Sequence, residues 1–446
     1  MSKQDKKELR QQIACEWLEE NYLQFGSLRH DVVTDRLQIR MADSLEDASL
    51  QNAPEGLQFR GKETWRNLTD KDINTMVCQC VAEKGVNIST NEMWTALKSD
   101  MVPAVHPLRA WLDGLRPYTA DQPDWIDWVA SQVCVKPSGE EAKGNKARGE
   151  ELWRACFKKW FVAMVASWMK DEVVNHTVLV LVGRQGIFKT TWLDNLIPPE
   201  LRAYSSKLPL SGQISKDDRL RLCENGILNI DELDAMCGRE MNIVKSLLTS
   251  IDVNERAAYG RLKERRVRLA SFCASTNKRE FLTDITGNRR WLPFEVESIQ
   301  NPFHTIIPYE RLYAQAKALV EEGIFSYWFD MEEMEVLEAH NEEFRALENE
   351  EQLLPILFDI PAEGKGEFMT TAEISDRLVS HGGIKKPMST RQLGVIMGKM
   401  GFQKAQVRIS GTCVRGWIVY KRDQDEITSA KRIGASDALM QRCDIY

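Results

Sequence analysis

The sequence predicts an α/β core of the P-loop NTPase type, with three layers about a mainly parallel sheet, a helical N-terminal region and a C-terminal winged helix domain. Three stretches predict it. In Val178-Leu-Val-Leu-Val-Gly183-Arg-Gln-Gly186-Ile187-Phe188-Lys189-Thr190-Thr191, five apolar residues run into a glycine turn, and a lysine and a threonine then open a helix. Gly226-Ile-Leu-Asn-Ile-Asp231-Glu232 is a short, mainly apolar strand that ends in an acidic pair. Residues 369–422 read as two helices followed by an alternating hairpin, the pattern of a winged helix-turn-helix.

A chain of 446 residues is too long for one core. Hydrophobic content of 43% and charged content of 28% are those of an ordinary globular protein, and a net charge of −7 does not announce a nucleic-acid binder, although a basic surface can sit inside an acidic total. No apolar run approaches the roughly 18 residues of a membrane span. Met1 to Lys7 is polar, with no apolar signal core behind it. The expectation is a cytoplasmic protein without membrane contact. Ten scattered cysteines contain no C-x-x-C pair and read as reduced structural thiols.

Residues 1–120 read mostly as helix. Lys7 to Tyr22 carries Leu9, Ile13, Trp17, Leu18 and Tyr22 at helical spacing. Leu28 to Arg40 alternates like a hairpin. Lys71 to Lys84 and Asn91 to Leu97 are amphipathic, with Thr90 as N-cap candidate for the second. His106-Pro107 is a turn entering a helix, and a packing or turn role suits the histidine. A primase centre needs two acidic metal ligands close together on one strand face. Asp31, Asp35, Asp43 and Asp47 do not supply that spacing, which leaves any primase to a separate polypeptide. Residues 121–150 read as a linker, with Lys136 to Glu150 rich in glycine and charge. The core runs from 151 to 304 and begins with a helix whose apolar face carries Trp153, Cys156, Trp160, Phe161, Met164, Val165 and Trp168.

The chemistry is that of ATP with Mg²⁺. The loop amides and the helix N-terminus face an anion, Lys189 reaches the β- and γ-phosphates, and Thr190 holds the metal. Gly183, Gln185, Gly186, Ile187, Phe188, Lys189, Thr190 and Thr191 form the nucleotide-binding stretch. Phe188 stands where the usual pattern has glycine and is expected to be denied glycine-only backbone angles. Asp231 would hold the metal's water shell, and Glu232 would act as general base. A buried strand, Leu269 to Asn277, puts Asn277 at its polar tip, where it can position the attacking water. Arg289 and Arg290, at the start of the next strand, read as an arginine finger supplied by a neighbouring subunit. The motif order suggests that these groups arrive on successive strand tips.

Asn254 to Arg268 holds six basic residues against two acidic ones and reads as a hairpin pointing its charge outward. Arg256, Tyr259, Arg261, Lys263 and Arg265 would track a single DNA strand, while a plain solvated face is the alternative. Residues 305–355 are helical and acidic, a lid or spacer. Residues 356–424 form the winged helix domain, with Arg391 and Lys399 facing the major groove and Arg408 and Arg415 contacting backbone from the wing. From His381 to Arg422 there are nine basic residues and no acidic one. Residues 425–446 read as a tail.

Taken together, Gly183–Thr191, Asn229–Asp234, Arg256–Arg261, Ser275–Asn277 and Thr283–Trp291 resemble the virulence-associated protein E family, P-loop ATPases of phages, integrated elements and pathogenicity islands related to superfamily III helicases. The resemblance implies the phosphate and Mg²⁺ roles for Lys189 and Thr190, the acidic pair for Asp231 and Glu232, the sensor for Asn277 and the finger for Arg289 or Arg290. The functional expectation is an ATP-hydrolysing DNA helicase or translocase serving replication of a mobile element, a homo-oligomeric ring of six acting on single-stranded and duplex DNA. The alternative is a nucleotide-switched DNA-binding regulator or defence ATPase without unwinding activity.

Overall fold

The chain folds as two units, Met1–Phe281 with Ile285–Phe344, and Leu282–Asp284 with Arg345–Tyr446. The computed structural model describes residues 2–41, 65–137, 146–208, 215–230, 233, 238–255, 264–282, 288–346, 349–361, 366–382, 384, 387–409 and 412–428.

The first unit begins with α1 (Lys3–Asn21), α2 (Asp70–Lys84) and α3 (Thr90–Leu97). Each opens on a reciprocal capping box: Ser2 with Asp5, Thr69 with Asp72, Ser89 with Glu92. The cap of α3 is therefore Ser89, not Thr90, because Glu92 returns its carboxylate to the Ser89 amide at 2.8 Å. The region is more mixed than a helical reading predicts. β1 (Leu28–Asp31) and β2 (Arg36–Arg40) form the expected antiparallel hairpin, and β3 (Trp65–Asn67) and β4 (Ala104–Val105) extend it in the order β3-β2-β1-β4. Trp17, Leu18, Leu28, Ile73, Met76, Met93 and Leu97 share one buried cluster.

His106 caps α4 (Pro107–Asp113), its Nδ1 accepting the Arg109 amide at 3.3 Å. Burial, helped by the Arg109 charge, pushes its pKa down to about 4. Only the neutral ring accepts this bond. The folded pKa lies below the unfolded value of about 6.5, so stability is fully present above that pH and is lost as pH falls towards 4. Unfolding in urea at pH 7 and pH 5 is expected to show a loss of about 1–2 kcal/mol, allowing for partial exposure. His106→Asn keeps a cap and should remove most of that dependence.

Residues 121–137, expected within a linker, instead carry α5 (Trp125–Ala130) and β5 (Val133–Val135), and Ile126, Val129, Val133 and Val135 enter the main core. Residues 138–145 lie outside the described residues. There follow α6 (Lys146–Met169), β6 (Val178–Val182), α7 (Lys189–Asp194), β7 (Ser205–Lys207), α8 (Lys216–Glu224), β8 (Ile227–Ile230), α9 (Gly238–Thr249), β9 (Asp252–Glu255), β10 (Glu264–Val267), β11 (Ser271–Thr276) and β12 (Trp291–Ile299). The central sheet has the order β5-β12-β6-β11-β8-β7. Its last five strands are parallel and β5 is an antiparallel edge. Every residue of β6 and β11 is buried, as expected of parallel strands covered on both faces. Trp153, Trp160 and Trp168 of α6 lie fully inside the core.

Part of the segment read as a lid or spacer also packs here. α10 (Tyr309–Glu322) lies against α6, with Tyr313 stacked on Trp168 at 5.5 Å, and α11 (Met331–Asn341) follows.

The second unit contains α12 (Asn349–Leu357), β13 (Phe358–Asp359), β14 (Glu367–Met369), α13 (Thr371–Gly382), α14 (Thr390–Lys399), β15 (Gln403–Ile409) and β16 (Thr412–Lys421). Thr370 and Glu373 cap α13, and Ser389 with Gln392 caps α14. β16 pairs with β13, β14 and β15. Ile374, Leu378, Leu393, Ile396, Met397 and Trp417 are buried. Residues 429–446 of the expected tail lie outside the described residues. Among the described residues no helix is long and apolar enough to cross a membrane.

Candidate active site

Parallel register brings the ends of β6, β11 and β8 to one edge of the sheet: Val182 pairs with Thr276, and Ile230 with Ala274. From β6 the chain runs out to β7 at the far side, whereas from β11 it crosses to β12 on the other side of β6. A crevice at such a divergence is where open α/β sheets hold ligands. The turn from β6 into α7 fills it. A Cβ on Gly183 would lie 3.0 Å from the Val296 carbonyl oxygen and 3.1 Å from Ile187 Cδ1, so the main chain of β12 closes directly on this glycine. Gly186 needs its left-handed φ of +87°.

Phe188 has φ 68° and ψ 16°. The phenylalanine thus adopts the left-handed geometry that the sequence reading denied it. That conformation costs an L-residue about 1–2 kcal/mol. Two contacts offset it: the Phe188 carbonyl accepts the Trp192 amide at 2.8 Å, and its ring meets Phe303 edge-on, centroids 6.1 Å apart at 82°. Such a ring pair contributes about 0.5–1.5 kcal/mol. Phe188→Gly should therefore change unfolding free energy by less than about 1 kcal/mol and turnover by less than about threefold. A tenfold rise in kcat would show instead that the ring obstructs the site.

Lys189 is buried, and its Nζ donates to the Gly183 carbonyl (2.7 Å), the Arg184 carbonyl (2.8 Å) and Asn277 Oδ1 (3.0 Å). Two residues that the sequence separates by 88 positions are thereby in direct contact. Thr190 Oγ1 lies 3.0 Å from Ser275 Oγ. Ser275, outside the sequence-predicted site, lies near the end of β11, and Asn277 follows that strand's last residue, Thr276. Gln185 is exposed; Ile187 and Thr191 are half-buried. Asn229 of β8 donates to Asp194 at 2.7 Å and ties the end of α7 to the sheet. Asp231 and Glu232 lie outside the described residues; the strand that leads to them ends at Ile230 on the loop's own edge, with β11 between β8 and β6. Among the described residues no cluster of acidic, histidine or cysteine side chains could hold a metal.

The two arginines depart from the expected order on successive tips. Asn288–Arg290 is a 3-10 turn at the beginning of β12, and Trp291 pairs with Val178, the first residue of β6. Arg289 (exposed) and Arg290 (half-buried) therefore sit at the sheet edge opposite the glycine loop, a strand length of roughly 13 Å away. The parallel direction of β12 is the cause.

β9 and β10 form the expected basic hairpin, with Arg265 opposite Asn254. Arg256, Tyr259, Arg261 and Lys263 lie outside the described residues. The outward-charge reading fits Arg265 and is corrected for Arg266 and Arg268. Arg265 is exposed and paired with Asp252 at 2.6 Å. Arg266 turns inward to Glu224 and the Val33 carbonyl. Arg268 is fully buried and donates to the carbonyls of Asn175, Leu247, Leu248, Ser250 and Ala270. Burial lowers its pKa to about 9, which leaves it charged at neutral pH. It fastens the end of α9 and the hairpin's base to the entrance of β6.

In the second unit, Arg391 and Lys399 are exposed on α14, at the ends of an i, i+4, i+8 stripe through the exposed Val395. On the β15–β16 hairpin, Arg408 pairs with Cys413 and Gln406 with Arg415, so both exposed arginines share one face.

No curated protein matches the chain. Among solved structures, the apo structure of the NrS-1 C terminal region (305-718) is similar over 89% of this chain and 97% of its own, with 11% identity and a TM-score of 0.41. The A form apo structure of that region is similar over 88% and 96%, with 11% identity and a TM-score of 0.39. A family model described as the virulence-associated protein E-like domain matches residues 143–346. The glycine loop, the parallel strands around it and the arginine turn all fall inside that match.

Proposed function

We propose that this protein is an ATP-hydrolysing DNA helicase or translocase of the superfamily III type, working as a ring in replication of a phage, plasmid or integrated element. One observation carries the reading: a buried lysine ammonium at the tip of a glycine turn, held by two loop carbonyls and by the asparagine at the end of the adjacent strand. The match of residues 143–346 to the virulence-associated protein E-like family model supports it.

In this reading the turn is a phosphate loop whose amides take the β-phosphate. Lys189 exchanges its carbonyl partners for β- and γ-phosphate oxygens. Thr190, already beside the Ser275 hydroxyl, and Asp231 would hold Mg²⁺. Once bound there, the metal would neutralise charge on the phosphate oxygens. Glu232 takes the proton of the attacking water, and Asn277 orients that water. Arg289 and Arg290, remote from their own loop, act on the loop of the adjoining subunit in a ring of six. The second unit is a winged helix domain that holds duplex DNA through Arg391, Lys399, Arg408 and Arg415, while the β9–β10 hairpin grips one strand. Arg408→Ala or Arg415→Ala should each lower the slope of log affinity against log salt by about one.

The test is the particle mass with ATP and a forked DNA, followed by strand separation on that fork. A sixfold mass and ATP-dependent separation are expected; a chain that stays monomeric and separates nothing contradicts the proposal. The second reading, a nucleotide-switched regulator, draws on Phe188 in the loop and the tethering of Lys189. It predicts ATP binding and assembly without turnover.

A further inference from the structure

We propose that Phe303 is the platform on which the nucleotide base stacks, an inference that rests on the nucleotide-binding reading above. After β12 the chain makes the turn Asn301–Thr305. Asn301 braces it from both ends: its side-chain Oδ1 accepts the Phe303 amide at 3.0 Å, and its carbonyl accepts the His304 amide (3.0 Å), the Thr305 amide (3.2 Å) and the Thr305 hydroxyl (3.1 Å). Four bonds thus fix a turn whose central side chain remains 75% exposed. A lone exposed apolar residue is ordinary. This one is held rigidly and meets Phe188, the residue immediately before Lys189, edge-on. Ile306, 80% exposed, follows in the same stretch.

The perpendicular contact with Phe188 leaves three quarters of Phe303 exposed beside the loop that takes the phosphates. A nucleotide whose triphosphate is gripped by residues 183–191 has a ribose and base to place outside that loop. An open aromatic face anchored to the loop receives the base, because every base has a π-face. Stacking is tolerant of base identity, so the platform adds affinity for nucleoside triphosphates as a class and discriminates little between ATP and GTP. Phe303 touches no reacting atom in this account: it acts on binding and not on the chemical step.

The experiment compares the full chain with Phe303→Ala and Phe303→Tyr, using ATP and inorganic tripolyphosphate as ligands. Phe303→Ala should raise KM for ATP roughly tenfold with kcat unchanged, and leave tripolyphosphate affinity unaltered. Phe303→Tyr should restore ATP affinity to within about twofold of the parent. Unchanged ATP affinity in Phe303→Ala, or an equal loss for ATP and tripolyphosphate, overturns the platform and leaves the hydrolytic reading standing. A parent chain that binds neither ligand overturns both.

Discussion

Lys189→Ala is expected to lower ATP hydrolysis by roughly 10²–10³-fold, the effect of removing one preorganised charge from a developing phosphate transition state. Lys189 is 7% exposed and its ammonium bridges the β6 turn and the tip of β11, so it is placed before any substrate arrives. Its loss also leaves two loop carbonyls and the Asn277 side-chain oxygen without that donor, which costs about 1–3 kcal/mol of stability. Lys189→Arg should fail as well, because a planar guanidinium fork does not reproduce three convergent bonds to one nitrogen. Phosphate release beside a thermal melt separates the two effects. A folded alanine variant that keeps a third of parental turnover would remove Lys189 from the chemistry.

Arg290→Ala should produce a loss of comparable or greater size, roughly 10³-fold or more in kcat, with ATP affinity nearly unchanged. The reason is topological. Because β12 runs parallel to β6, the turn Asn288–Arg290 lies at the edge opposite the loop, and a single chain does not bring the two together. In the proposed ring the arginine therefore acts between chains. This makes a further outcome available: Lys189→Ala and Arg290→Ala proteins, each inactive alone, should regain activity when mixed. In a random mixture about a quarter of the interfaces join an intact loop to an intact arginine, which sets the scale of the recovery. Assembled mixtures that stay inactive would show that Arg290 does not serve a neighbour's site.

Much of this architecture was legible in the sequence because local signals and global packing agree. The unbroken apolar runs of β6 and β11 announced strands buried on both faces, and the alternation of Leu28 to Arg40 announced a hairpin. Asn277 was readable as a strand tip, and its bond to Lys189 follows from parallel register. The misreadings have equally local causes. Both Ser89 and Thr90 are competent caps, and only the Glu92 carboxylate decides between them. Three-residue β5 is too short for periodicity to reveal, so residues 121–137 looked like a linker. Arg266 and Arg268 count as surface charge in any tally of composition, yet carbonyls at the ends of other elements draw them inside. Phe188 breaks the glycine rule at a cost its own neighbours offset, and Phe303, the neighbour concerned, lies 115 residues away with no motif to mark it.

The most direct test of the central claim is the ATP hydrolysis rate of the intact chain with and without single-stranded DNA. Turnover should rise when the strand is added and disappear in both Lys189→Ala and Arg290→Ala. ATP binding by the intact chain with no turnover, with or without DNA, would contradict it and leave the nucleotide-switched regulator in its place.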